Sequence, residues 1–108
     1  MNIKELIRKM LFKLKGEVVR LRQRNATRGT VLISYITLPF FWDMEDKRFG
    51  GHSSYWEARC MADVFLSFGY NVDVVEWNDR KFLPRKKYAY FIDIGENMER
   101  LSPLLNAS

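Results

Sequence analysis

The sequence holds one cysteine, Cys60, and one histidine, His52, among 108 residues. A single thiol closes no internal disulfide, which fits a reducing compartment, and Cys60 reads as a small core or boundary residue. One histidine and one cysteine supply neither a zinc cluster nor a Cys–His nucleophile. No apolar run is long enough to span a bilayer, and charges interrupt the first apolar residues throughout, unlike a secretory leader. Without a leader, the triplets Asn25-Ala-Thr27 and Asn106-Ala-Ser108 carry no weight as glycosylation acceptors. There is no phosphate-binding P-loop, and no G-x-G-x-x-G follows a strand-like run, which weighs against a dinucleotide site. Internal repeats and low-complexity tracts are missing too.

What is present suits one small domain and not two: 47% of residues are hydrophobic and 15% aromatic. The net charge of +5 is unevenly spread. Residues 1–28 hold nine Lys/Arg against two acids, and the remainder holds nine against eleven. The basic character therefore belongs to an N-terminal extension, residues 1–28, set before a mildly acidic body, residues 29–108. Ile3, Leu6, Ile7, Met10, Leu11, Leu14, Val18 and Leu21 recur at three- and four-residue steps, predicting an amphipathic helix over 3–24. Lys4, Arg8, Lys15 and Arg22 share its opposite face. Such a helix either packs its stripe on the body and leaves a solvated basic face, or lies on an anionic membrane surface with those four residues near the headgroups. No groove- or base-reading residues accompany the basic face, so nucleic acid is not an expected partner.

Val31-Leu-Ile-Ser-Tyr-Ile36 is a continuous apolar run, as expected of a strand covered on both faces in a parallel sheet. A second helix is predicted over about 55–68 with Ala58, Met61, Ala62 and Phe65 on its core side, ended by Gly69 in a left-handed cap. Asn71–Trp77 reads as a second strand, completing a strand–helix–strand unit. Asn78–Lys87 is a charged connection, short for a crossover. Tyr88–Ile94 reads as a third strand, Gly95 ends it, and a last helix over 96–105 has Asn97 as its cap. Three strands make an incomplete α/β sheet, the front of a larger domain, with an exposed edge.

Between the first strand and its helix runs Thr37–His52, a long loop rich in aromatics (Phe40, Phe41, Trp42). Long loops at the carboxyl ends of central strands are where α/β proteins bind ligands. Its aromatics suit stacking on a sugar or lipid, burial, or a partner surface, and the sequence does not choose between them. Asp43, Glu45 and Asp46 read as solvated acids, so no metal is expected. Gly50-Gly51 lets the backbone approach a ligand closely. Ser54 and Glu57 fit a capping box at the helix start. Glycines leading into a helix N-terminus after a strand offer an anion a place, with Arg48 able to add charge. The same residues also serve a plain turn and cap, and His52 suits either a phosphate or sugar-hydroxyl contact or a loop hydrogen bond.

Taken together, the first strand, Pro39, Gly50-Gly51, the helix, the turn Gly69-Tyr-Asn-Val-Asp-Val74 and the run Tyr88–Ile94 resemble the N-terminal half of a group 1 (family 4-like) retaining glycosyltransferase of the GT-B type. The resemblance spans roughly residues 30–105. It implies a Rossmann-like, acceptor-side domain in which Gly50 and Gly51 approach the donor diphosphate; His52 and Ser53, next on the same loop at the helix start, complete the candidate donor-loop residues by position. A nucleotide sugar is then a substrate and no cofactor is needed, with a glycan or lipid acceptor. The chain departs from the family in lacking the donor-binding domain with its Glu pair and the later strands of the first domain. The resemblance therefore implies a chain inactive alone, cytoplasmic or peripheral at the inner face of the membrane.

Overall fold

The structure, a computed structural model, describes residues 2–14, 18–95 and 97–105, without the side chains of residues 8, 9 and 11–14. Its elements are helix α1 (Ile3–Leu14), strand β1 (Val19–Leu21), strand β2 (Thr30–Tyr35), two 3-10 turns (Leu38–Phe41 and Lys47–Gly51), helix α2 (Ser53–Ser67), strands β3 (Asn71–Glu76) and β4 (Tyr90–Asp93), and helix α3 (Asn97–Leu105). The fold is α/β. The sheet has order β1-β3-β2-β4, with β2 parallel to both neighbours and β1 antiparallel to β3. It is therefore mixed and not purely parallel. The apolar run expected as the first strand lies inside the sheet, between β3 and β4.

The expected helix over 3–24 is corrected to a helix ending at Leu14 and a short edge strand. The physical reason is two-sided burial. Val19 and Leu21 pack with Val31, Ile33, Val72, Val74 and Ala62 on the α2 face, whereas Val18 packs with Leu32, Val75 and Leu101 on the α3 face. Alternate residues going to opposite faces is strand geometry, and the β-branched pair Val18-Val19 suits it. The helical spacing of Val18 and Leu21 with the upstream leucines does not survive that packing.

Both faces of the two interior strands have a cover, so β2 reads as a nearly continuous apolar run and β3 is buried throughout its centre, with Asp73 interrupting its apolar residues. Ala58 and Ala62 of α2 are fully buried, so that helix lies close on the sheet. Leu101 of α3 is buried on the other face with Phe82, Tyr88 and Phe91. Each such aliphatic side chain contributes about 1.5–3 kcal/mol on burial. The charged connection after β3 does carry the chain to a parallel strand, across the α3 face without a helix. Asp79 Oδ1 accepts from the amides of Lys81 and Phe82, and Arg100 donates to the carbonyls of Phe82 and Asp79 at 2.8 and 2.9 Å.

Helix α2 ends as its sequence predicts. Gly69 has φ +92°, and its amide and that of Tyr70 donate to Leu66 and Phe65 carbonyls, both at 3.1 Å. Phe65 and Tyr70 close the motif by ring contact. Gln23, just past β1, donates through Nε2 to the carbonyls of Leu66 and Tyr70, tying the edge strand to this helix end.

Candidate functional site

The parallel strands end on one side, and the loops leaving those ends form the candidate site. From β2 the chain enters the turn at Leu38–Phe41. Thr37 donates its amide and hydroxyl to Glu76 Oε2 at 3.0 and 2.6 Å, closing β2 against the end of β3. Buried Asn97, the first residue of α3, donates to Ser34 Oγ at 2.9 Å and to the Glu76 carbonyl at 3.2 Å. Asn97 is therefore not the cap of α3. Asp93 takes the Met98 amide at 2.8 Å and the Gly95 amide at 3.0 Å. A depression of about 860 Å³ opens beside this cluster, its lining including Asn78, Arg80, Asn97, Met98, Glu99 and Arg100. None of these was singled out as a site residue from sequence. The available signal was polar residues at the ends of apolar strands: Ser34, Glu76 and Asp93.

Gly50, Gly51, His52 and Ser53 lie together at the entry to α2, all exposed. A Cβ at Gly50 meets nothing within 4 Å, and one at Gly51 meets only the Tyr55 ring at 3.9 Å. Neither glycine has positive φ, so the pair provides open space and not an unusual turn. The expected capping box is replaced by His52. The Ser54 amide and hydroxyl meet His52 Nδ1 at 3.1 and 2.6 Å, which places the neutral ring's proton on Nε2. Glu57 instead accepts from the Tyr35 hydroxyl at 2.8 Å. Burial first, and then Glu57, raises the Tyr35 phenol.

Arg48 adds no free charge to the glycine loop, contrary to expectation. Its Nε and Nη2 hold Asp46 at 2.9 and 2.6 Å, and Nη1 and Nη2 lie 2.9 and 3.0 Å from Glu5. The guanidinium also sits 4.7 Å from the Trp42 ring centroid. Hydrogen bonds from Arg48 hold the Asp46 carboxyl down to about 2. Two of the loop aromatics pack on each other and on α2: Trp42 meets Phe49 and Tyr55 edge-on, and Phe49 meets Trp56. Among the described residues no three His, Cys, Asp or Glu gather as for a metal ion.

The four basic residues expected to share one face do not all do so. Lys4 is exposed on α1. Arg8 is on α1, its side chain among those not described, and Lys15 lies outside the described residues. Arg22 belongs to the body: its Nη2 pairs with Asp73 at 2.7 Å. Asp73 is buried on the α3 face, where Tyr88 donates to it at 2.6 Å and Lys86 lies 3.5 Å away. A buried carboxylate draws its cations inward, and this one takes Arg22 from the basic face.

Among the described side chains, the apolar stripe of α1 faces solvent. Ile3, Leu6, Ile7 and Met10 are all exposed, whereas Glu5 is 3% exposed and faces Arg48. No helix among the described residues is long and apolar enough to cross a membrane. Compared with family models, curated proteins and solved structures, the chain matches none.

Proposed function

We propose that this chain is the acceptor-side, Rossmann-like part of a retaining nucleotide-sugar glycosyltransferase of the GT-B type, without transfer activity of its own. The observation that carries the reading is the open glycine pair. Gly50 and Gly51 stand unobstructed on the loop that leaves an interior parallel strand, directly ahead of a helix start. Retaining sugar transfer needs a diphosphate held against fixed dipoles while its leaving charge develops. The amide of Ser53, at the start of α2, and the Nε2–H of His52 supply donors there, whereas Gly50 and Gly51 give access, their own amides belonging to the 3-10 turn. The resemblance assigns the nucleotide base to the donor-side domain, so donor binding by this part is weak and turnover does not follow.

Amide chemical shifts followed during titration with pyrophosphate and with nucleoside diphosphates test this. The expected result is a weak, saturable change confined to residues 50–54, abolished by Gly50→Val, with no nucleotide released from a nucleotide sugar. Shifts absent at millimolar ligand, or spread over the molecule, overturn the donor-loop assignment. Release of nucleotide by the chain alone overturns its inactivity. A second reading, a non-catalytic α/β module docked through α1, is favoured by the solvent-facing apolar stripe of that helix.

A further inference from the structure

Helix α1 is held to the body by the wrong residue for a core helix. Its polar Glu5 is buried, and its apolar stripe is out: Ile3 is 75% exposed, Leu6 48%, Ile7 51% and Met10 57%. At 100° per residue these four fall on one arc of the helix. The Asn2 side chain accepts from the Glu5 amide at 2.8 Å, so the helix has its own N-terminal cap. The stripe is therefore presented by a formed helix.

The charge of α1 says what the stripe meets. Lys4, Arg8, Lys9 and Lys13 face a single acid, Glu5, within residues 3–14. Glu5 is turned to the body, where it pairs with Arg48, which also holds Asp46. The helix is thus apolar and basic in composition, its one acid is turned to the body, and the described residues it exposes are Ile3, Lys4, Leu6, Ile7 and Met10. A protein groove that buries the stripe gains from that bias only where it is itself acidic. An anionic bilayer gains from both parts, at about fivefold per basic residue near its surface. Twelve residues span about 18 Å, too short to cross a hydrocarbon core and long enough to lie in its interface.

We propose that α1 docks this protein on an anionic lipid bilayer, with Ile3, Leu6, Ile7 and Met10 in the acyl boundary. The Glu5–Arg48 pair then makes the docking directional. It joins α1 to the loop that follows β2, so the bilayer lies beside the carboxyl ends of the parallel strands. The inference stands independently of the sugar-transfer reading, since it uses only α1 and its latch.

Co-sedimentation of the full chain with vesicles tests it, using phosphatidylcholine alone and phosphatidylcholine with roughly one-third phosphatidylglycerol. The expected result is strong binding to the anionic vesicles, weak binding to the neutral ones, and loss of binding as salt shortens the screening length. The double variant Ile7→Ser/Met10→Ser, which alters exposed positions and keeps the charge, is expected to bind at least about tenfold more weakly. An unchanged circular dichroism spectrum shows that the variant is folded. Absence of binding to anionic vesicles, or binding untouched by the double variant, overturns the proposal. So does a wild-type chain that sediments as a dimer in which the variant is monomeric, because a second copy then covers the stripe. Equal, salt-sensitive binding of wild type and variant to RNA in place of vesicles overturns it as well.

Discussion

Gly95, Gly50 and Gly69 illustrate three ways for a glycine to matter. A Cβ on Gly95 falls 2.8 Å from Trp77 Cβ and 3.3 Å from the Trp77 carbonyl, atoms fixed to the backbone. Gly95→Ala therefore forces β4 and the end of β3 apart, and is expected to destabilise the fold by about 1–3 kcal/mol in urea unfolding. Gly69→Ala strains a left-handed residue and costs about 1–2 kcal/mol. Gly50→Ala meets nothing and stays within about 0.5 kcal/mol. A Gly50→Ala variant as damaged as Gly95→Ala refutes the open-loop geometry. Asp46 offers a titration check. Its folded value, about 2, lies below the ordinary carboxylate value of 3.8, so its clip on Arg48 is intact above that ordinary value. The contribution is lost as pH falls through the folded value. Carbon-detected titration of the Asp46 carboxyl is expected to show the low midpoint, returning to the ordinary range in Arg48→Met.

The elements most legible in the sequence are those whose local pattern and tertiary use agree. The run Val31–Ile36 is apolar because it lies between two strands and under two helices. The end of α2 is written in Phe65, Gly69 and Tyr70, where cap and side-chain contact coincide. The unread elements are those where a distant group decides. Val19–Leu21 has helical spacing with α1, yet the edge of β3 takes it as a strand. Arg22 sits among basic neighbours, yet buried Asp73, fifty-one residues on, binds it. Ser54 and Glu57 match a capping box, yet His52 caps and Tyr35 takes Glu57. At the site, glycine adjacency was readable, whereas the joining of Thr37, Glu76 and Asn97 needs three elements in place. The Asp73 cluster yields a test at this scale, since it joins β1, β3 and the crossover. Burial first, and then Asp73, raises the Tyr88 phenol, so the group donates throughout the ordinary pH range. Tyr88→Phe removes one partner of a buried carboxylate and is expected to cost about 1–3 kcal/mol in urea unfolding. A neutral result places the burden on Arg22 and Lys86.

At the scale of the molecule, the surface is larger than its mass calls for. The chain exposes 7336 Å², against about 6300 Å² expected for a folded monomer of 12.9 kDa. The exposed apolar residues of α1 contribute to that surplus, as do Trp56 and Val64 on α2, Phe68 just past its end, and Tyr90 on edge strand β4. Stability is correspondingly uneven. Strands β2 and β3 carry the buried aliphatics of both faces. Helix α1 reaches the rest through the loop after β2 and through Glu5. Amide exchange separates these layers. Residues 31–34 and 72–75 are expected to exchange only through global unfolding, and α1 through a far smaller opening. Glu5→Gln weakens the pair with a half-exposed Arg48, so the opening free energy of α1 should fall by about 1 kcal/mol. Exchange of β2 and β3 should stay as it was, because Asp46 still holds Arg48 in place. If Glu5→Gln accelerates exchange in all strands together, α1 is part of the cooperative core and not a latched appendage. If it leaves α1 unchanged, the buried carboxylate is not what holds the helix to the body.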